Sequence, residues 1–422
     1  MTSHLTARGS AEIREVAAGD DLDALFDLSR RAFGPPPPGP PEPAVQLAAR
    51  RAQLDAAIHE RRILGAFQDG QLVASARYHD MRQWWCGRSM PMAGVASVMV
   101  APEHRGQGLG RSLMTVLLDA IAGRGYPVSV LYPATTPIYR SLGWELAGGH
   151  HHAVIPARTL HAFLPADVTS GPALLPGDER AAAERPPDVR RAGPDDAGEV
   201  LAVIGRVHEH ARACGPNTRD AGLVGRWLAD PDLFAYLAAD GFLAYRWHRG
   251  HGELLVEQAI AASDRTTRAL WSIVASHSSI ATTVRAQIGP ADPLFWLTRE
   301  PDGQLTDREL WMLRVVDAPA AIAARGFPAS AQLAVPLWIE DDALGGNAGL
   351  WELTVTGGRG SLVHSPEAAQ PLTIGARGLA ALYAGTPMAT LRLAGLAAGG
   401  NPVADSELDG AFGASAFMLD SF

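Results

Sequence analysis

The segment Val95–Leu113 constrains the fold most strongly, because it places a strand, a glycine-rich turn and the start of a helix in direct succession. The turn at 105–110 carries glycine at three alternate positions. Glycine tolerates positive φ and has no side chain to block close approach, so several backbone N–H groups can point at one place. The following helix adds the positive end of its dipole, and Arg105 and Arg111 add full positive charges. The segment therefore predicts a binding site for a diphosphate beside a strand.

Two other glycine-rich phosphate sites fit this segment poorly. A Rossmann dinucleotide site needs the glycine turn after the first strand of its domain and an acidic residue roughly 20 positions later, and the first condition fails here. A Walker-type phosphate loop needs Gly-Lys-Ser/Thr, whereas this chain has Gly110-Arg111-Ser112 without the required preceding spacing. An ordinary tight strand-to-helix turn stays open as the structural alternative.

Length and composition indicate several globular domains. A chain of 422 residues is long enough for two or three domains, and 47% hydrophobic with 19% charged residues is typical of a soluble globular protein. No apolar run approaches the roughly 20 residues of a membrane-spanning helix, and the polar start lacks the order of a secretion signal, so we expect a cytoplasmic protein. The net charge of -9 disfavours a nucleic-acid partner and suits a cationic substrate.

The first third of the chain alternates between helical and strand patterns. Apolar residues recur at helical spacing in the stretch before His59, and the period then changes to that of strands. The dipeptide Asp69-Gly70 between two apolar runs is typical of a β-hairpin. The predicted elements are a strand at Ile13–Val16, helices up to Phe33 and over Pro43–His59, hairpin strands at Ile63–Gln68 and Leu72–His79, a strand at Val95–Val100, a helix over Leu109–Arg124 and a strand at Val128–Tyr132.

The rest of the chain divides into two further parts. A stretch rich in Pro, Ala, Gly and charge at 164–186 predicts a linker. After it, 189–276 repeats the order of the first part, but the connection Ala262–Arg265 has none of the glycines of the first turn. We therefore predict a duplicated fold whose second copy cannot hold a diphosphate in the same way. The last part is predicted as α+β, with strands at Ala331–Ile339, Gly349–Val355 and Gly360–His364 and helical segments at Ile374–Ala381 and from Ala384 onward.

The glycine turn and its surroundings resemble the acetyl-CoA pyrophosphate loop of the GNAT acyltransferases. Their pattern Arg/Gln-x-x-Gly-x-Gly/Ala is matched by Arg105, Gly108 and Gly110, after a strand lead-in that ends at Pro102. The whole chain, with the segment Pro137–Trp144 and with Phe422 as its last residue, is similar to a three-domain family within that group. This is the enhanced-intracellular-survival (Eis) family of aminoglycoside N-acetyltransferases.

The resemblance implies a fold of mixed α/β and α+β class. Tandem GNAT folds, the second copy degenerate, would be followed by a sterol-carrier-protein-like α+β domain. The implied domains are an N-terminal GNAT acetyltransferase domain at 1–163, a degenerate GNAT-like domain at 187–317 and a sterol-carrier-protein-like domain at 318–422. The resemblance also implies a homo-oligomer, namely a hexamer.

The resemblance further implies two catalytic roles and a set of cofactor-binding residues. Tyr139 would act as general acid toward the leaving CoA thiolate, and the terminal carboxylate of Phe422 as general base. Most alkyl amines are protonated near neutral pH, so attack on a thioester requires a proton acceptor, and a partly dry cleft raises the pKa of an α-carboxyl group toward a useful range. The residues implied for acetyl-CoA are Val98 and Val100 through their backbone, and Arg105, Gly106, Gly108, Leu109 and Gly110 around the diphosphate.

These features together predict an acetyl-CoA-dependent N-acetyltransferase that acts on amines of a cationic small molecule such as an aminoglycoside. Direct attack in a ternary complex is favoured over an acyl-enzyme, because neither Cys86 nor Cys214 lies in a nucleophile context. One alternative is a transferase for lysine side chains, peptides or polyamines. Another is a non-catalytic protein that binds acyl-CoA or an apolar ligand.

No metal site is expected. The run His150–His152 is consecutive, and successive residues on a strand point to opposite faces, so the three rings cannot converge on one ion. We predict a strand-edge or surface position for this run. Trp84 and Trp85 form either an aromatic wall for a substrate or part of a core. Acidic candidates for binding cationic groups, with no choice among them, are Asp27, Asp80 and the pair Asp341-Asp342.

Overall fold

The N-terminal unit folds into the alternating order that its sequence predicts. The protein is described by a computed structural model over residues 11–20, 22–34, 44–164, 187–248, 252–298, 303–367, 369–420 and 422. The first unit contains β1 (Glu12–Glu15), α1 (Leu22–Phe33), α2 (Ala44–His59), β2 (Ile63–Gln68), β3 (Gln71–Trp85), β4 (Arg88–Val100), α3 (Leu109–Gly123), β5 (Val128–Leu131), α4 (Pro137–Arg140) and β6 (Glu145–Pro156). Positive φ at Asp69 (50°) and Gly70 (76°) forms the expected tight turn between β2 and β3.

A second unit repeats this order, as the sequence predicts. It contains β7 (Arg190–Ala192), α5 (Ala197–His210), β8 (Asn217–Thr218), α6 (Ala221–Leu228), β9 (Phe234–Ala238), β10 (Gly241–His248), β11 (Glu253–Ala261), α7 (Asp264–Ala275), β12 (Thr283–Ile288), α8 (Leu294–Leu297) and β13 (Gln304–Val315). Most of the linker predicted at 164–186 lies outside the described residues.

The two units share one sheet, because their last strands are exchanged. Fourteen of the described strands join in this sheet, and its main path runs β1-β2-β3-β4-β5-β13-β6-β12-β11-β10-β9-β7. The strand β13 of the second unit lies between β5 and β6 of the first, and β6 pairs on its other edge with β12. The boundaries placed at 163, 187 and 317 on sequence grounds stay predictions, while the hydrogen bonds of the sheet run across all of them.

The third unit is an α+β domain that packs against the first. It contains α9 (Ala318–Ala324), β14 (Leu333–Glu340), β15 (Gly349–Thr356), β16 (Arg359–His364), β17 (Leu372–Gly375), α10 (Ala376–Tyr383), α11 (Met388–Leu393), β18 (Ala397–Gly399) and α12 (Pro402–Phe412). Its strands form a five-stranded sheet in the order β16-β15-β14-β17-β18. The prediction of a helix from Ile374 is wrong at its start, since 372–375 form β17 beside β14.

Buried contacts join the third unit to the other two. Tyr383 of α10 packs edge-on against Trp85 of β3, with ring centroids 5.0 Å apart, so Trp85 is a core residue and no substrate wall. Arg314 of β13 forms an ion pair of 2.6 Å with Asp341, and both side chains are essentially inaccessible. Asp341 is therefore committed to the fold, and it is not an acceptor-binding carboxylate. Within the described ranges, no helix is long and apolar enough to cross a membrane.

The C-terminal tail leaves the third unit and returns to the shared sheet. Its short strand β19 (Phe417–Met418) pairs in parallel with β6, where Phe417 lies opposite Gly149. The last described residue, Phe422, consequently reaches the first unit.

Candidate active site

An opening forms in the first unit where β4 and β5 separate. The two parallel strands pair from Met92 and Val128 as far as Val95 and Leu131. β5 ends there, while β4 continues to Val100 with a bulge against β3 and a positive φ of 52° at Ser97. On the side that faces β5, the backbone of 96–100 therefore has no strand partner among the described residues. Its N–H and C=O groups on this side can form hydrogen bonds with the amides of an extended ligand. Val98 and Val100 lie on this stretch and are partly buried.

The glycine turn follows directly and presents the N-terminus of α3. Gly106 and Gly108 have φ values of 77° and 80°, and a Cβ at either position would meet no atom within 4 Å, so the backbone conformation requires glycine there. Gly110 is closely packed, since its Cβ would lie 3.2 Å from Cδ1 of Ile138. Gly108 is the N-cap of α3, and no side chain in the described structure caps this helix end. The turn therefore leaves room and N–H donors for an anion.

Buried Leu109 and exposed arginines frame the turn. Leu109 is 1% exposed and anchors the start of α3 in the core. The Arg105 guanidinium donates to the carbonyl oxygens of Val100 and Ala32, both at 3.3 Å, and so ties the turn to β4 and to the end of α1. Arg111 lies exposed on the first turn of α3. Both arginines add positive charge beside the helix end.

Tyr139 lies on the short helix α4, immediately after β5. Its side chain is 5% exposed, and its ring packs edge-on against Trp144 at a centroid distance of 6.5 Å. Burial raises the pKa of the Tyr139 phenol above its ordinary value. The phenol is therefore protonated at neutral pH and can act as a proton donor.

Phe422 lies beside the opening. Its ring covers Gly94, where a Cβ would lie 2.7 Å from the ring, so any larger residue at 94 would displace it. The ring also lies edge-on to Tyr132 and His79, with centroid distances of 5.7 and 6.4 Å. Gly94 is one residue before Val95, where the pairing between β4 and β5 ends.

Hydrogen bonds and an ion pair hold the C-terminal tail that carries Phe422. Gly149 N–H donates to Ala416 O at 3.3 Å, and Phe417 N–H donates to Cys214 O at 3.1 Å. Further along, the Tyr132 hydroxyl donates to Asp420 O at 3.0 Å, and Arg219 forms an ion pair of 3.0 Å with the Asp420 side chain. Gly148 and Gly215 also leave space for the tail, because a Cβ at these positions would overlap the carbonyl oxygens of Ala416 and Phe417. Sequence reasoning missed this seat, because its glycines are scattered over three distant segments.

Three family models match consecutive parts of the chain. Two models described as "Acetyltransferase (GNAT) domain" match residues 12–147 and 219–315, and a model described as "Sterol carrier protein domain" matches 318–418. The crystal structure of a GCN5-related N-acetyltransferase from Kribbella flavida is 40% identical, with a TM-score of 0.87, and the match covers 98% of this chain and 99% of that one. The chain belongs to the GCN5-related N-acetyltransferase (GNAT) family.

Two curated proteins and a further solved structure are also similar to this chain. N-acetyltransferase Eis from Mycobacterium tuberculosis is 30% identical over 278 residues, 62% of this chain, and the chain matches 65% of the length of that protein. An uncharacterized N-acetyltransferase from Streptomyces griseus is 29% identical over 346 residues, which cover 77% and 80% of the two chains. The structure of Eis1 from Mycobacterium abscessus has the same fold, with a TM-score of 0.73 at 24% identity over 97% and 100% of the chains. The predicted Eis-like GNAT membership and fold class are confirmed.

The corresponding helix end of the second GNAT copy is occupied by the chain's own side chains. Ser263 is the N-cap of α7 and accepts a hydrogen bond from Thr266 N–H at 3.3 Å, so its own side chain occupies the helix end. The Asp240 carboxylate accepts from the Ser263 hydroxyl at 2.7 Å and also from the Thr266 hydroxyl. A carboxylate at this place repels a diphosphate, so this GNAT copy offers no equivalent cradle.

The histidine run differs from its predicted position. It lies on β6, which is flanked by β13 and β12, so it is inside the sheet and not at an edge. His150 and His151 are 4% and 7% exposed, so the prediction of a surface role is wrong. The strand exchange that surrounds β6 is the reason. Over the residues that the structure describes, no group of three or more His, Cys, Asp or Glu side chains could hold a metal ion.

The thiol of Cys86 has a lowered pKa, but it lies far from the opening between β4 and β5. Its Sγ accepts a hydrogen bond of 2.9 Å from Arg212, and the Cys214 thiol together with this arginine lowers the pKa of Cys86 to about 6. This contact could not be predicted from the sequence, because it joins residues 126 positions apart. Cys86 precedes the thirteen-residue strand β4, whose far end lines the opening, so roughly 40 Å separates the two ends. This distance argues against Cys86 as the acyl acceptor.

Proposed function

We propose that this chain is an acetyl-CoA-dependent N-acetyltransferase in which an amine of a cationic small molecule attacks acetyl-CoA directly. The observation that carries the proposal is the place of Phe422, whose ring covers Gly94 beside the opening between β4 and β5. This seat brings the C-terminal end of the chain to the strand that precedes the glycine turn. Acetyl-CoA would supply the thioester to be attacked.

The cofactor-binding roles follow the geometry of the opening. The backbone of Val98 and Val100 would pair with the amides of the pantetheine arm. The turn formed by Gly106, Gly108 and Gly110, with the N-terminus of α3, would receive the diphosphate. Leu109 would hold the helix end in place from the core, and Arg105 would add positive charge. These assignments draw support from the φ values and the open space at the turn.

Proton transfer would use two groups on opposite sides of the thioester. The amine nitrogen forms a bond to the thioester carbon, and the C–S bond breaks as the tetrahedral adduct collapses. The terminal carboxylate of Phe422 would take the proton that leaves the nitrogen, and the Tyr139 phenol would give its proton to the departing sulfur. The second role requires a protonated phenol, and Tyr139, whose pKa lies above its ordinary value, carries its proton at neutral pH.

The acceptor would enter through a cavity beside the tail. This cavity, of about 270 Å³, lies between α5, α6, the middle of β11 and the end of β12, and Arg219 and Asp420 contribute to its wall. Glu257 and Trp227 also line it, and the Trp227 indole donates to Glu257 at 2.7 Å. Asp420 and Glu257 are paired with Arg219 and Arg246, so the support for a cationic acceptor such as an aminoglycoside comes from the net charge of -9.

A thiol-release assay with acetyl-CoA and a panel of amines tests the proposal. The panel contains aminoglycosides, polyamines and lysine peptides, and calorimetry measures CoA binding in parallel. Release with the polycationic small molecules supports the proposal. Release with lysine peptides alone would make the chain a protein acetyltransferase. CoA binding without release for any amine would favour the non-catalytic alternative and overturn the proposal.

The assembly state belongs to the same proposal. A hexamer, which the resemblance to the Eis family implies, would give six acetyl-transfer openings per particle. Sedimentation velocity at micromolar protein tests it directly. A monomer at all concentrations would contradict it.

A further inference from the structure

The second GNAT copy contains a cavity that the proposed acetyl transfer does not use. Its volume is about 310 Å³, at the lower end of the roughly 300–1,000 Å³ of small-molecule sites. Its walls are largely apolar and include Ile260, Leu270 and Trp271. Phe417 and Leu419 of the C-terminal tail complete them. The cavity therefore has the size and the lining of a ligand site.

This cavity occupies the place in the second copy that the acetyl-CoA opening occupies in the first. β11 carries a bulge against β10, and its parallel pairing with β12 ends at Val256 and Ala286, although both strands continue. The short helix α8 then begins after Pro293, as α4 begins at Pro137. In this order Phe295 stands where the first copy has Tyr139. The second copy has thus kept the separated strands and lost both the anion cradle and the phenol.

The charges around the cavity define what it can accept. Among the described residues of its wall, none is Lys or Arg, and Asp292 is the acidic one. The Asp292 carboxylate accepts a hydrogen bond of 2.9 Å from Leu294 N–H. Burial raises the pKa of Asp292 to about 6 and lowers that of His208, also in the wall, to about 4. At pH 7.5 the wall therefore holds one negative charge and an uncharged imidazole, which disfavours anionic ligands.

We propose that this cavity binds a primary amine with an apolar body of about eight carbon atoms, whose ammonium group lies against the Asp292 carboxylate. The apolar body lies between Trp271 and Phe417. The site is distinct from the acetyl-transfer opening, and its ligand is bound without being acetylated. Because Phe417 and Leu419 belong to the tail that ends at Phe422, an occupant also contacts the segment that positions the terminus.

Calorimetry with three probes of equal chain length tests the site. Octylamine, 1-octanol and octanoate are titrated into the full-length protein at pH 7.5. We expect octylamine to bind about tenfold more tightly than 1-octanol, since a hydrogen bond to a charged group is stronger than one to a neutral group, and octanoate to bind most weakly. Equal affinity for octylamine and octanoate would overturn the proposal.

Asp292→Asn is the deciding variant, because an asparagine can still accept from Leu294 N–H. It should remove the preference for octylamine over 1-octanol and leave the affinity for 1-octanol unchanged. Asp264→Asn is the matched control, since Asp264 is exposed on the first turn of α7 and is not part of the wall. A preference for octylamine that survives Asp292→Asn would place the ligand elsewhere and refute the site.

A cavity-filling variant tests the apolar part separately. Ala259→Phe should abolish binding of both octylamine and 1-octanol, because the added ring fills space along β11. Its thermal melting curve serves as the folding control, and Ala259→Leu replaces it if the larger side chain prevents folding. Thiol release from acetyl-CoA in the presence of octylamine should stay at background. Rapid release would show that octylamine is an acceptor at the first site and would contradict binding without acetylation.

Discussion

The two GNAT copies of this chain share a backbone plan but differ at the end of one helix. In the first copy, Gly108 caps α3 with positive φ and leaves its N–H groups to an external anion. In the second, Ser263 caps α7 with its own hydroxyl, and Asp240 lies beside it. The difference lies in what satisfies the helix N-terminus, which is the chain's own side chain at α7 and no described side chain at α3.

The largest effect should come from moving the terminal carboxylate that we propose as the base of the first copy. Addition of one glycine after Phe422 displaces the terminal carboxylate by about 3.5 Å. We expect kcat to fall about a thousandfold, within the range that general acid–base groups contribute. Thiol release measures the rate, and calorimetry should give an unchanged affinity for CoA. A rate equal to that of the unmodified chain would exclude the terminal carboxylate as the base.

Tyr139 and Phe295 occupy matched positions in the two copies. Removal of the hydroxyl from the first and addition of one to the second therefore compares the copies directly. Tyr139→Phe should lower kcat about a hundredfold with little change in KM, because it removes the proposed proton donor to the leaving thiolate and keeps the packing against Trp144. Phe295→Tyr is the control in the second copy and should leave both constants unchanged. Steady-state kinetics of both variants decides the point. An equal loss in the two variants would mean that the effect is structural.

Gly108→Ala tests whether the glycine turn holds the diphosphate. A left-handed conformation costs a non-glycine residue about 1–2 kcal/mol. The alanine variant therefore either keeps the turn at a cost in stability or changes the backbone conformation, so that the N–H groups no longer point at the diphosphate. We expect the Kd for CoA to rise about tenfold, measured by calorimetry. The Kd for pantetheine, which lacks the diphosphate, should change far less.

Gly123→Ala is the matched control on the same helix. Gly123 has open space around its Cβ position and no positive φ, so alanine should leave CoA binding unchanged. It should also stabilise the fold slightly, because a helical alanine is favoured over glycine by about 0.5–1 kcal/mol. A rise in the Kd for CoA in Gly123→Ala equal to that in Gly108→Ala would remove the argument for the turn.

The smallest effect on activity should come from the helix cap of the second copy. Ser263→Ala should lower the free energy of unfolding by about 0.5–2 kcal/mol, the usual cost of losing an N-cap side chain. Thiol release should stay unchanged, and calorimetry should still give one CoA per chain. Urea denaturation measures the stability. A second CoA bound per chain would show that the cap alone had blocked an otherwise intact cradle.

Local signals in the sequence predicted the first copy well. The dipeptide Asp69-Gly70, the glycine turn and the helical spacing of α3 act through neighbouring residues, and the structure has each of them where it was predicted. The missing cradle of the second copy could also be predicted, because it depends on the short connection Ala262–Arg265.

Features that depend on distant partners could not be predicted. The buried position of His150 and His151 arises because β13 pairs with β6, and residues 150 and 309 share no local signal. The seat of Phe422 depends on Gly94, more than three hundred positions earlier. Ile374 lies in a short strand because β14 offers an edge for parallel pairing, although its sequence suits a helix equally well. Each case is a long-range contact overriding a local pattern.

The strand exchange has a consequence for how the chain is synthesised. Until residues 304–315 leave the ribosome, β5 and β6 each have an edge without its strand partner β13. The unpaired N–H and C=O groups of these edges can pair with strands of other chains. The nascent N-terminal portion must therefore wait for a later segment before its architecture closes. A fragment cut after the first unit should be aggregation-prone when expressed alone, and co-expression with the remainder should rescue it.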